Sequence, residues 1–255
     1  FIFLGILIFS VYGIGKILLN AKAGLLAVFI ATMYPFTYLL SRHYFLDFPL
    51  MAMVTAAIYF SLKSKQVEKW YNYLIFAVLL ALSLLIKRTA VFFILPFVAY
   101  LITSNKNKRY ILILLVSGIL LYPWYGAKFL LNMKNYLSSL SSMSYSNTIS
   151  QENLWFTIPG LLYYFKAIIF MQTTIIYFII FVISVVICFR NKFKYIWLML
   201  LWIFIPYIFF TFISIKSERY TMPYLPAIAI ITAIGIDLIK NAKIKNVTII
   251  FVICY

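Results

Sequence analysis

Long apolar stretches separated by short polar connections follow one another along the whole chain. Most are close to the roughly 20 residues that cross a bilayer as a helix, and the shorter ones would have to borrow flanking aromatic residues. We expect an all-α, polytopic transmembrane bundle of about ten spans, forming a single domain over 1–255. The apolar stretches lie near 1–15, 23–40, 48–62, 71–86, 89–104, 110–124, 172–189, 195–213, 222–239 and 246–255.

Repeated clusters of basic residues fall in every second connection between these stretches. Because Lys and Arg favour cytoplasmic loops, those connections are predicted to lie inside. The alternate connections, 41–47, 87–88, 125–171 and 214–221, are then predicted to face outward. The inner connections hold 14 of the 22 basic residues: Lys16, Lys22, Lys63, Lys65, Lys69, Lys106, Lys108, Arg109, Arg190, Lys192, Lys194, Lys240, Lys243 and Lys245.

The outer connection 125–171 is long enough to contain more than a turn. Its Ser-rich part, "SSLSSMSYSNTISQEN", predicts a loop on the surface. The following "LWFTIPGLLYYF" is typical of an interfacial or re-entrant helix with aromatic anchors. The chain begins at Phe1 rather than at Met and stops at Tyr255 inside an apolar run, so we expect a fragment truncated at both ends.

Composition agrees with a multi-pass protein of the cell membrane. The chain is 65% hydrophobic and 11% charged. Its net charge of +17 would suggest nucleic acid in a soluble protein, but here the charges lie in short loops where they meet lipid headgroups. Cys188 and Cys254 lie in apolar runs without the spacing of a zinc site or a disulfide framework. Membrane lipids, rather than nucleic acid, are the expected partners.

Charged residues of both signs gather in the predicted outer connections. Because such groups are costly at the edge of the hydrocarbon unless they pair or bind something charged, their clustering predicts a polar cavity. The excess of basic residues in it favours an anionic ligand such as a lipid phosphate. The set includes three of the five acids and the single histidine: Asp47, Glu152, Glu218, His43, Arg42, Lys87, Arg88 and Arg219.

Four ordered segments carry a resemblance to a known family. They are "LLSRHYFLDFPLMAMVTAAIYFSL", "LLALSLLIKRTAVFFILPFVAYLI", "YPWYGAKF" and "IKSERYTMPYLPAIAII". Together they resemble GT-C type, polyprenyl-phosphate-sugar-dependent membrane glycosyltransferases, which include protein O-mannosyltransferases and aminoarabinose transferases. The resemblance implies inverting transfer of a hexose or pentose from a polyprenyl-phosphate donor to a lipid, glycan or protein acceptor at the extracytoplasmic face. It also implies a leading catalytic carboxylate in a loop that would precede Phe1.

The resemblance implies catalytic roles for Asp47 and His43. Asp47 matches the acid of the family's cavity segment, where it could orient the acceptor, hold a divalent ion or help to take the acceptor's hydroxyl proton. The alternative is that Asp47 is only an N-cap for the span that follows it. His43 lies four residues earlier and could share a helical face with Asp47, or it could simply contact headgroups.

Donor phosphate binding is implied for Lys87, Arg88, Arg219 and Tyr220. Cations there would neutralise the departing phosphate, although headgroup snorkelling is the alternative for the first two. Ala81 stands where the family often has glycine. Arg42 and Glu218 are expected to line the same cavity, and Glu218 could instead pair with Lys216 or Arg219. No cofactor is certain, and a divalent metal ion is a possibility.

A different class of function also fits ten or so spans with basic residues outside. A transporter or flippase for an anionic lipid or lipid-linked sugar would have the same composition. Against it, the sequence contains no visible internal repeat and few acids within its spans for proton coupling. A purely structural membrane subunit would not explain why the charges gather on one side.

Overall fold

The computed structural model describes residues 1–43, 45–104, 110–126, 157–213 and 216–254, and all of their regular structure is helical. The predicted all-α bundle is therefore confirmed. The Ser-rich loop and Glu152 lie outside the described residues. The α-helices are α1 Ile2–Leu18, α2 Ala21–Met33, α3 Pro35–Ser41, α4 Asp47–Gln66, α5 Trp70–Ile86, α6 Ala90–Ser104, α7 Tyr110–Leu121, α8 Ile158–Leu161, α9 Tyr163–Ala167, α10 Ile175–Arg190, α11 Ile196–Thr211, α12 Leu225–Asp237 and α13 Ala242–Cys254.

Three of these helices, α7, α9 and α12, adjoin a short π-helical or 3-10 segment. A π-helical turn extends α7 over Tyr122–Gly126, and another extends α9 over Ile168–Gln172. A 3-10 helix, Glu218–Tyr224, runs directly into α12. Because Pro223 and Pro226 lack an amide hydrogen, they suit the tightened entry to α12 rather than the middle of a regular helix.

Two helices form the centre of the bundle. Every residue of α12 from Leu225 to Ile236 is buried, and α4 is buried around most of its circumference. α12 packs on α2 and α10, while α4 packs on α1, α5 and α6. Close packing of α1 on α2 requires small residues, because a Cβ on Gly15 would lie 2.6 Å from the Cα of Gly24.

The described helices include between one and three candidate membrane spans. Among the described residues, Glu218–Asp237 is long and apolar enough to cross a membrane. Two bent pairs would raise the total to three: α2 with α3, bent by 68°, and Tyr163–Gln172 with α10, bent by 113°. Other apolar helices are shorter; the 17 residues of α5 extend about 26 Å, against a hydrocarbon core of about 30 Å. About ten spans stays a prediction.

The bundle has two ends of different composition, which we name after one residue each. At the Asp47 end lie residues 41–43, 45–47, 87–88 and 216–220. The Lys65 end holds the described connections that are rich in basic residues, and the Gln66 side chain there donates to the Ile17 carbonyl over 3.2 Å. The 18 residues from Asp47 to Lys65 separate the two ends by about 27 Å of helix.

Candidate active site at the Asp47 end

Asp47 is the first residue of α4, and its side chain is buried. Leu46 occupies the N-cap position without a side-chain capping hydrogen bond. The Asp47 Oδ1 atom instead accepts a 2.7 Å hydrogen bond from Lys87 Nζ, and the side chains are 7% and 28% exposed, respectively. The interpretation of Asp47 as an N-cap was therefore wrong. Its negative charge at the N-terminus of α4 still interacts favourably with the dipole of that helix.

Lys87 occupies the position where α5 ends and the chain turns toward α6. Its backbone is extended, with φ −157° and ψ 129°. Its ammonium nitrogen lies 2.7 Å from Asp47 Oδ1 and 4.6 Å from the ring centroid of Tyr220. One cation therefore contacts both a carboxylate 40 residues earlier and the face of a tyrosine from the 3-10 helix.

Arg88 and Arg219 contact different aromatic rings. The Arg88 guanidinium carbon lies 5.3 Å from the ring centroid of Tyr125, at the end of the π-helical turn. The Arg219 guanidinium carbon lies 4.4 Å from the ring centroid of Phe45, and Arg219 Nε donates to Ser217 Oγ over 3.3 Å. Arg219 is thus adjacent to the segment that precedes α4, as the predicted convergence of the outer connections requires.

Glu218 is held by a tyrosine rather than by a cation. Its Oε1 atom accepts a 2.5 Å hydrogen bond from the Tyr163 hydroxyl, and its carbonyl oxygen accepts a 2.7 Å bond from Gln172 Nε2. Gln172 Nε2 also donates to Thr221 Oγ1 over 2.8 Å. These bonds fasten the 3-10 helix to the segment Tyr163–Gln172. The suggested pairing of Glu218 with Lys216 or Arg219 was wrong.

Lys216 is buried beside the same helix and has backbone partners. Its Nζ atom donates to the Thr211 carbonyl over 2.6 Å and to the Ile213 carbonyl over 3.2 Å. Burial lowers the pKa of Lys216. The two accepting carbonyls lie in the last turn of α11 and just after that helix. Carbonyl groups at a helix C-terminus have no partner within the helix, and the Lys216 ammonium satisfies them. We assign Lys216 a structural role.

His43 and Arg42 lie between α3 and α4 and are exposed. Because α3 ends at Ser41 and α4 begins at Asp47, His43 and Asp47 do not share a helical face, and that expectation was wrong. His43 Nδ1 lies 2.8 Å from the Leu39 carbonyl; since a carbonyl only accepts, Nδ1 carries the hydrogen. The His43 ring stacks on Phe45 at 6.0 Å, and Arg42 lies over Tyr38 at 4.3 Å.

The described side chains do not form a metal site by themselves. Within the described ranges, no three His, Cys, Asp or Glu residues lie close enough together to hold an ion. The two described acids at this end, Asp47 and Glu218, are held by Lys87 and Tyr163. A divalent ion therefore stays a prediction, and no step below depends on one.

Two aromatic partners in this cluster were not predicted individually. Tyr163 binds the Glu218 carboxylate, and Phe45 faces the Arg219 guanidinium. Both belong to segments that the sequence singled out, the interfacial helix and "SRHYFLDFPL". With 21 tyrosines and 25 phenylalanines in the chain, however, no pattern distinguishes these two from aromatic residues that pack in the core or face lipid.

Comparisons with known proteins address the family and the fold. Residues 1–126 match the family model for dolichyl-phosphate-mannose-protein mannosyltransferases. ArnT from Cupriavidus metallidurans has a similar structure in its apo state, with a TM-score of 0.60 and 14% identity. The structure of ArnT bound to undecaprenyl phosphate gives a TM-score of 0.62 and 15% identity. The resemblance to GT-C membrane glycosyltransferases is confirmed.

The extent of each match differs. The structural likeness to the two ArnT structures covers 98% of this chain but only 45% and 46% of theirs, so the chain spans a little under half of that protein's length. No curated protein sequence matches the chain. Asp47 and Lys87 lie inside the range matched by the mannosyltransferase model, whereas Tyr220 lies outside it.

A GT-C fold brings these groups together from distant parts of the sequence. The contacts of Lys87 with Asp47 and Tyr220 join α4, the α5 terminus and the 3-10 helix at one point. Such a point combines a carboxylate that can accept a proton, an ammonium that can bind phosphate and an aromatic face beside them.

Proposed function

We propose that this chain is part of a membrane glycosyltransferase that moves a sugar from a polyprenyl-phosphate donor to an acceptor on the outer face of the membrane. The observation that carries this proposal is the position of the Lys87 ammonium between the Asp47 carboxylate and the Tyr220 ring. The family-model match of residues 1–126 supports the class of reaction. The undecaprenyl phosphate bound to ArnT supports the class of donor.

The donor phosphate would bind where Lys87 is partly exposed. The negative charge of the phosphate competes with Asp47 for the Lys87 ammonium. Tyr220 holds that ammonium in place while its partner changes from Asp47 to the phosphate. Arg219 is next to Tyr220 in the 3-10 helix and can add a planar, two-pronged contact to phosphate oxygens. Arg88 follows Lys87 directly in the chain and supplies a further cation.

The transfer step needs a base and a stabilised leaving group. The acceptor hydroxyl oxygen bonds to the anomeric carbon on the face opposite the phosphate, which inverts the configuration there. The bond between that carbon and the phosphate oxygen breaks, and polyprenyl phosphate leaves with the electron pair. Lys87 and Arg219 neutralise the departing phosphate. Asp47, once separated from Lys87, takes the hydroxyl proton.

The proposal is tested with the full-length protein in vesicles that contain a polyprenyl-phosphate sugar labelled in the sugar. We expect the label to move to lipid, glycan or protein acceptors while free polyprenyl phosphate accumulates in equal amount. A transporter or flippase would instead move the intact donor across the bilayer. Translocation with no cleavage of the sugar–phosphate bond, in the presence of all three acceptor classes, would overturn the transferase proposal.

A further inference from the structure

A cleft between α6 and α11 opens at the Lys65 end, about 27 Å of helix away from Asp47. Its volume is about 350 Å³. Apolar walls come from Pro96 and Leu201, and its polar groups include Tyr100, Lys194 and Tyr195. Trp197 also lines the cleft and is 67% exposed. The cleft therefore has an amphipathic lining, with an apolar interior and a charged rim.

Two lysines and two tyrosines are grouped at the rim. Lys65 Nζ lies 4.2 Å from the ring centroid of Tyr100, and Lys194 Nζ lies 5.5 Å from that of Tyr195. The two tyrosine rings meet edge to face at 6.4 Å. Burial, together with the positive charge of Lys194, lowers the pKa of Lys65, which lies beyond the predicted span 48–62. The two ammonium groups therefore lie beside the two rings of one tyrosine pair.

The charge around this cleft is strongly one-sided. The connections 63–69 and 190–194 together hold six basic residues and one acid. A second cleft at the same end, about 320 Å³ in volume, differs in this respect. Lys245 in that cleft forms an ion pair with Asp237, which also lines it. A negatively charged ligand therefore gains more at the rim of the α6–α11 cleft than at the second one.

We propose that the cleft between α6 and α11 binds an anionic phospholipid, with its phosphate at Lys65 and Lys194 and an acyl chain along Pro96 and Leu201. Phosphate relieves the repulsion between the two ammonium groups, and the tyrosine hydroxyls can donate hydrogen bonds to its oxygens. Trp197 is suited to the boundary between headgroup and acyl chain. A lipid is favoured over a soluble anion because the apolar walls continue directly from the charged rim.

The proposal does not depend on glycosyl transfer, because the cleft and the Asp47 cluster lie at opposite ends of α4. It is tested by reconstituting the full-length protein in phosphatidylcholine vesicles that contain a minor fraction of brominated phosphatidylglycerol. Bromine quenches tryptophan fluorescence on contact, and Trp197 lines the cleft. Quenching is measured as a function of the phosphatidylglycerol fraction, and again with brominated phosphatidylcholine as the neutral comparison.

We expect saturable quenching by phosphatidylglycerol that Lys65→Gln and Lys194→Gln each weaken by about fivefold, the effect of one surface lysine on an anionic lipid. Lys194→Arg should retain it, and Trp197→Phe should remove most of the saturable part. Lys243→Gln is the matched control, because Lys243 is also exposed at this end but, unlike Lys194, does not line the cleft and, unlike Lys65, does not lie over Tyr100. Equal losses in Lys243→Gln would overturn the proposal in favour of diffuse attraction, and equal quenching by both lipids would overturn it in favour of contact without headgroup preference.

Discussion

The ion pairs Asp47–Lys87 and Asp237–Lys245 lie at opposite ends of the bundle and are buried to a similar degree. The side chains of lysine and aspartate are 28% and 7% exposed in the first pair, and 27% and 12% exposed in the second. Their surroundings differ. Lys87 and Asp47 are 40 residues apart, whereas Lys245 and Asp237 are 8 apart. Burial of a charge pair therefore does not by itself identify a functional site.

The remaining contacts of each pair show the difference. Both carboxylate oxygens of Asp237 have structural partners, since Asn20 Nδ2 donates to Oδ2 over 2.5 Å and Lys245 binds Oδ1. Lys245 Nζ also donates to the Asp237 carbonyl over 2.9 Å. This pair therefore fastens α12 and α13 to the start of α2. The Asp47 pair instead reaches Tyr220, in the segment that carries two further charged residues.

The same substitution at the two acids should separate their roles most clearly. Asn keeps the shape of Asp and removes its charge, so Asp47→Asn should lower the transfer rate by roughly 10²–10⁴, the usual contribution of positioned acid–base help. The protein should remain folded, because the partly exposed Lys87 can be solvated. The measurement is sugar release from a polyprenyl-phosphate donor by the full-length protein, with thermal unfolding recorded in parallel.

Asp237→Asn is the matched control for that experiment. It removes an equally buried charge from the other end of the bundle, so its transfer rate should stay close to that of the unmodified protein. Full activity in a folded Asp47→Asn protein would show that both ion pairs are structural and would remove Asp47 from the proposed mechanism.

Lys87 and Lys245 allow a second comparison, in which donor affinity is measured. Lys87→Ala removes a charge-assisted contact to the donor phosphate and should weaken binding by about 1.5–3 kcal/mol, or roughly 10- to 150-fold. We expect Arg88→Ala and Arg219→Ala to act in the same direction. Lys245→Ala, which breaks the pair at the other end, should leave donor affinity unchanged. If none of the three outer variants weakens binding, these cations serve only to anchor headgroups.

The convergence of the Asp47 end followed from two regularities in the sequence. Clusters of basic residues in every second connection placed 41–47, 87–88 and 214–221 together on the other side, and ordered motifs selected Asp47, Lys87 and Tyr220 among many charged and aromatic residues. The structure brings those three together. Their chemical roles stay predictions.

Other features depended on packing that the hydrophobic pattern does not encode. The run 23–40 was predicted as one stretch, but the chain bends by 68° at Tyr34 and Pro35, where proline begins a new helix. The 113° turn before α10 has a weaker signal, because it depends on Thr174 with a φ of 78°, an uncommon value for a non-glycine residue. Likewise, the pairing of Glu218 with Tyr163 depends on tertiary placement alone.

Asp237→Asn should affect stability more than function. Asn can still accept the hydrogen bond from Asn20, but the charge that holds Lys245 is lost. Because the pair is partly exposed and solvent screens it, we expect a loss of about 1 kcal/mol in the free energy of unfolding. The measurement is thermal or denaturant unfolding in detergent, with Lys245→Ala as the companion variant. A loss in the double variant equal to the sum of the single losses would show that the two residues do not interact.

His43→Gln should have the smallest effect of these variants. His43 is exposed, its Nδ1 hydrogen is donated to the Leu39 carbonyl, and its ring stacks on Phe45 rather than facing Asp47. Glutamine can donate a similar hydrogen bond but cannot act as a base near neutral pH. The transfer rate should therefore change by no more than about twofold, and its pH profile between pH 5 and 8 should keep its shape. If His43 were instead a base for the acceptor hydroxyl, the rate would fall by about 10² or more. That outcome would move the proposed proton acceptor from the buried start of α4 to the exposed connection before it.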